Sequence, residues 1–137
     1  MMYAQRAAAQ YRNVRSHGLV ADASPTRLVQ IVFEQILASL VTAEGCMRRI
    51  EGNLPLDEVV AKGKAMGVAV RLIGHLNATL DMERGGAIAA NLRALYEYML
   101  NRLTQANVLN DPAIVVEVVG LVGKLKASWD QLVKDGW

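Results

Sequence analysis

The feature that most constrains this sequence is a stripe of apolar side chains between Leu80 and Asn107, LDMERGGAIAANLRALYEYMLNRLTQAN. Ile88, Leu92, Leu95, Met99, Leu103 and Ala106 follow one another at spacings of four, three, four, four and three residues. A helix gathers such positions on one side, because about 3.6 residues complete each turn. A helix with one apolar stripe is marginal alone and buries that stripe against other elements. Gly85-Gly86 stands just ahead of the stripe and predicts a turn, since glycine reaches the left-handed conformation without a Cβ clash. The stretch therefore reads as the turn and second arm of a helical hairpin.

Three further stretches carry the same period. Ser24-Pro25 predicts a helix start, serine capping a free amide and proline losing no bond at the first helical position. Leu28, Val32, Ile36, Leu40, Ala43, Met47 and Ile50 then recur until Gly52-Asn53. A second helix is predicted from about 56 to 83, with Val59, Met66, Val70, Ile73 and Leu80 as its stripe. Asp111-Pro112 opens the last one, along Ile114, Val118, Leu121, Leu125, Trp129 and Leu132. Four such helices joined by short turns pack most simply as an all-α, antiparallel up-down four-helix bundle, crossing at roughly 20°.

Some residues run against the pattern. Gly63, Gly67 and Gly74 each cost roughly 1 kcal/mol against alanine inside a helix. They mark either a closely packed neighbouring helix, the favoured reading, or a groove left open for a partner. Asn77 falls beside the stripe, and a neighbouring helix is expected to satisfy its amide. Asp81 and Glu83 are placed near the end of the second helix, where carboxylates oppose the dipole. Ahead of all this, Tyr3, Ala7, Tyr11 and Val14 outline a short amphipathic helix that Ser16-His17-Gly18 breaks.

At 137 residues the chain reads as one domain, long enough to bury a core without disulfides. Its hydrophobic share of 53% fits either an Ala- and Val-rich bundle or one that keeps apolar surface for a partner. Fifteen basic against thirteen acidic residues is too balanced for a nucleic-acid binder. The lone Cys46 is expected as a small buried apolar residue, with no nucleophile or metal role. The opening MMYAQRAAAQYRNV has no continuous apolar core and is not a secretory signal. The most apolar run, Ala113 to Gly123, holds Glu117 and is too short to span a bilayer, so a cytoplasmic protein without membrane insertion is expected.

The parts of an enzyme are missing from the sequence. His17 stands in a loop signal, and His75 has no glutamate three residues before it as a di-iron bundle requires. No phosphate loop, nucleophile elbow or HExxH motif occurs, and no cofactor or metal is expected.

Beyond periodicity, the literal residues matter. Leu80-Asp81, Glu83, Gly85-Gly86, Ile88-Ala89, Asn91-Leu92, Leu95-Tyr96, Tyr98-Met99, Arg102-Leu103 and Ala106-Asn107 together resemble the signature of the flagellin-specific export chaperones, the FliS family. Val20 with Ala23-Ser24-Pro25 near the start, and the Asn110-Asp111 step before the last helix, extend that resemblance over nearly the whole chain. One departure stands in the first helix. The family usually shows a tyrosine, an acid and a glycine there, and this chain has Phe33, Glu34 and Gln35.

The resemblance implies a chaperone that binds the disordered C-terminal segment of flagellin one-to-one, prevents premature polymerisation and delivers it to the flagellar type III export gate. It implies a bundle over 24–137 with 1–23 as a movable cover, all within one domain. Partner contact is expected at three groups: Tyr3, Tyr11 and Val14; Ser24, Pro25, Phe33, Ile36 and Leu40; and Asn91, Leu95, Tyr96, Tyr98 and Met99. Asn91 and Tyr98 share a face two turns apart, and each suits either a bond inside the bundle or one to the partner. The alternative function is a self-associating structural bundle, or an adaptor for other flagellar regulators.

Overall fold

The computed structural model describes residues 24–50 and 55–136, with Gln5 standing alone ahead of them. The proposed cover, including Tyr3, Tyr11 and Val14, lies outside the described residues. Four helices follow in order: α1 Pro25–Arg49, α2 Leu56–Ala78, α3 Met82–Leu109 and α4 Pro112–Lys134. No strand occurs among the described residues.

The helix starts follow from local chemistry. Ser24 Oγ accepts from Arg27 N at 3.1 Å ahead of Pro25. Asp81 Oδ1 accepts from Arg84 N at 3.1 Å, and Asp111 Oδ1 from Ala113 N at 3.0 Å. These carboxylates satisfy amides that have no partner within the helix and stand at the favourable positive end of the dipole. Asp81 and Glu83 thus belong to the start of α3 and not to the end of α2, which stops at Ala78. The sequence expectation is corrected by five residues because Thr79 closes α2, its hydroxyl donating to Leu76 O at 3.0 Å. Gly86 does make the break foreseen for Gly85-Gly86, at φ 52° and ψ −132°, but as a kink inside α3 after its first turn.

Asn110 joins three helices at one end. It ends α3 in the left-handed conformation, φ 50° and ψ 50°, which asparagine tolerates better than most residues. Its side-chain amide donates to Met47 O of α1 at 3.1 Å, and Lys62 Nζ of α2 donates to its Oδ1 at 3.4 Å.

The helices form a ring in which α1 packs most extensively on α2 and α4, and α3 bridges those two more lightly. Contacts at both ends show the antiparallel order. Arg49 at the end of α1 pairs with Glu58 at the start of α2 at 2.7 Å, while Gln30 near the start of α1 bonds Asp130 near the end of α4 at 2.5 Å. The core holds Leu28, Phe33, Ile36 and Leu40 from α1, Ile73 and Leu76 from α2, Leu92, Tyr96, Met99 and Leu103 from α3, and Val118, Trp129 and Leu132 from α4. Phe33 meets Trp129 edge-to-face, centroids 5.4 Å apart and planes at 74°. Cys46 is a free, buried thiol. Among the described residues the helix apolar and long enough to cross a bilayer is α1, not the 113–123 run, and its apolar side chains form one wall of the bundle core.

Candidate functional site

Burial sorts the residues expected to meet a partner. Phe33, Ile36, Leu40, Tyr96 and Met99 are core positions, each at most 1% exposed. They belong to the core cluster of the bundle. Ser24 and Pro25 are half-buried at the α1 entry, Leu95 is half-buried, and Asn91 and Tyr98 are exposed. The structure brings Asn91, Leu95 and Tyr98 onto one side of α3 and separates them from Ser24 and Pro25 on α1.

Beside them lies a polar clamp between α3 and α4. Tyr98 donates its hydroxyl to Glu117 Oε2 at 2.5 Å, and Arg102 Nε donates to Glu117 Oε1 at 2.7 Å. The phenol hydrogen bond, then the guanidinium, hold the Glu117 carboxyl below the ordinary carboxylate range. The same bond to Glu117 raises the Tyr98 phenol. Tyr98 therefore spends its hydroxyl inside the bundle and offers a partner its ring. No hydrogen bond is formed by the Asn91 side chain among the described residues, which leaves its amide for an outside group.

A shallow groove of about 470 Å³ runs between α1 and α2, lined by Ala38, Ser39, Thr42, Ala61, Lys64, Ala65 and Val68. Small side chains on both walls keep it open. Large aliphatic side chains stand out elsewhere: Val108 is 78% exposed, Leu56 72% and Leu109 67%, with Val60, Val41 and Val116 also exposed. Leu56 opens α2, Val108 and Leu109 close α3, and Val116 stands early in α4.

Sequence reading missed both features. The groove residues are small and fall between the stripes that periodicity detects, while the exposed aliphatics resemble core residues in composition. The glycines of α2 gave no sign of the groove, since none of them lines it. Their favoured reading, close packing inside the bundle, is overturned: a Cβ at Gly63, Gly67 or Gly74 would meet nothing within 4 Å. The amide of Asn77 also departs from expectation, since its buried Oδ1 has no hydrogen-bond partner among the described residues. No three of His, Cys, Asp and Glu stand together as a metal-ligand set among the described residues.

A helical bundle with an open apolar groove has the architecture of a binding protein. A family model described as Flagellar protein FliS matches residues 7–136. The flagellar secretion chaperone FliSB of Pseudomonas aeruginosa is 41% identical over 129 residues, covering 94% of this chain and 97% of its own. The flagellar secretion chaperone FliS of Salmonella typhimurium is 37% identical over 132 residues, 96% of this chain and 93% of its own. That of Vibrio cholerae is 35% identical over 122 residues, 89% of this chain and 85% of its own. The chain belongs to the FliS family of flagellar secretion chaperones.

Proposed function

We propose that this chain is a cytoplasmic export chaperone that binds the C-terminal segment of flagellin, keeps it from polymerising early and hands it to the flagellar type III export gate. The observation that carries this reading is the family match over residues 7–136. The exposed aliphatics and the α1–α2 groove agree with it, since a disordered client folds onto apolar surface without needing nucleotide or metal. Ordering the client consumes part of the binding free energy, which keeps such a complex releasable.

The contacts proposed for the bundle are those the fold leaves accessible. Ser24 and Pro25 stand at the entry of α1, and Asn91, Leu95 and Tyr98 along α3. Residues 1–23, with Tyr3, Tyr11 and Val14, serve as a movable cover in this reading. Deleting residues 1–18 is expected to leave the helical circular-dichroism signal and its thermal transition in place while changing client affinity. An unfolded truncation would make the segment structural instead.

Size-exclusion chromatography with light scattering tests the reading against the self-associating alternative. Mixed with the C-terminal segment of flagellin from the same organism, the chain is expected to elute as a one-to-one complex. A concentration-dependent dimer that leaves the segment in its own peak would establish self-association in place of chaperoning.

A further inference from the structure

The start of α3 is built differently from the rest of the bundle. From Asp81 to Ala87 no residue is buried, whereas Thr79 and Leu80 before it and Ala89 after it are at most 8% exposed. A turn that buries no apolar area has only local bonds to offset the entropy of ordering its backbone. Those bonds come from Asp81. Its Oδ1 accepts from Arg84 N at 3.1 Å and its carbonyl accepts from Gly85 N at 2.9 Å. The ion pair of Arg84 with Asp81 is long, at 4.0 Å, and the Arg84 side chain is 81% exposed, so it adds little. Gly86 then leaves the helical region, at φ 52° and ψ −132°. The kink separates this single turn from the helix that follows, and one helical turn alone is unfavourable in water.

Farther along, α3 is tied down. Tyr98 and Arg102 both bond Glu117 of α4. Asn110 at the helix end donates to Met47 O of α1 and accepts from Lys62 of α2. These ties leave the other end of α3 resting on Ala89 and Leu92, its first buried side chains. α3 is also the helix that packs least extensively on its neighbours. The connection to α2 contains slack, since the six residues from Asp81 to Gly86 rise about 9 Å as helix and span about 20 Å when extended. In the last turn of α2, Asn77 Oδ1 is buried without a hydrogen-bond partner among the described residues. An unpaired buried oxygen weakens the closed arrangement of that hairpin.

We infer that Asp81–Gly86 is a hinge that opens while the bundle stays folded, letting the start of α3 swing outward about the Glu117 and Asn110 ties. The inference is independent of what the chain binds.

Hydrogen exchange followed by NMR on the full chain tests the opening. The Arg84 and Gly85 amides are expected to exchange at least about 100-fold faster than those of Met99 and Leu103, at a rate that low urea leaves unchanged. Asp81→Ala removes the cap and should speed exchange at both amides about fivefold, with urea still without effect. Exchange at Arg84 and Gly85 that matches Met99 and rises steeply with urea would overturn the hinge. Spin labels read the swing. In a Cys46→Ala background, labels on Arg71→Cys and Ala90→Cys, at exposed sites of α2 and α3, should give a broader distance distribution than labels on Arg71→Cys and Gln35→Cys across the closely packed α1 and α2. Asp81→Ala should widen the first distribution alone. Equal widths for the two pairs, or a first pair unmoved by Asp81→Ala, would overturn the swing.

Discussion

Truncating Phe33 to alanine measures which way the first helix faces. The Phe33 side chain is 0% exposed and packs edge-to-face on Trp129 at 5.4 Å. Removing a buried phenylalanine costs about 3–5 kcal/mol, transfer and cavity contributions together. A domain of this kind has roughly 5–15 kcal/mol in all, so the variant stays folded with much of its margin gone. Taking a urea dependence of about 2 kcal/mol per molar, the unfolding midpoint should fall by about 2 M. Gln35→Ala, an exposed neighbour on the same helix, is expected to stay within about 0.5 kcal/mol of the parent. A loss below about 1 kcal/mol for Phe33→Ala, together with weakened flagellin binding, would refute the core placement and restore the partner-facing expectation.

The remaining predictions concern α2, the Asn110 junction and acid stability. Gly63→Ala and Gly67→Ala, at sites where a Cβ meets nothing within 4 Å, should each stabilise the bundle by about 1 kcal/mol, read as a higher thermal midpoint. Asn110→Ala should lose about 2 kcal/mol, from the strain of φ 50° and the broken bond to Met47 O. Asn110→Gly keeps the left-handed conformation and should lose only the hydrogen bonds, about 1 kcal/mol in chemical denaturation. Because Glu117 is held below its ordinary value of 4.5, its contribution is fully present above that value and fades as pH falls through the lowered one. Glu117→Gln should therefore flatten the acid limb of a stability-versus-pH curve, and an unchanged limb would contradict the clamp.

The bundle was legible because its stripes are long and its punctuation is chemical. Ser24-Pro25 and Asp111-Pro112 begin α1 and α4 as read, and Trp129 is a core residue as read. The α2–α3 turn was less legible. Asp81 looks unfavourable as the last residue of one helix and favourable as the cap of the next, and sequence spacing alone gives both the same pattern. The surface was hardest. Periodicity shows that Ile36, Leu40, Tyr96 and Met99 share stripes but not which stripe faces inward, and all four face the core. The accessible groove is built from alanine, serine and threonine, whose lack of bulk leaves little trace in a hydrophobic pattern.

Calorimetric titration of this chain with the C-terminal segment of its own organism's flagellin tests the chaperone function most directly. Tight one-to-one binding with a negative heat-capacity change is expected, the mark of apolar surface buried as a disordered client folds on the bundle. Absence of heat at several temperatures, with no co-elution of the two chains, would contradict it.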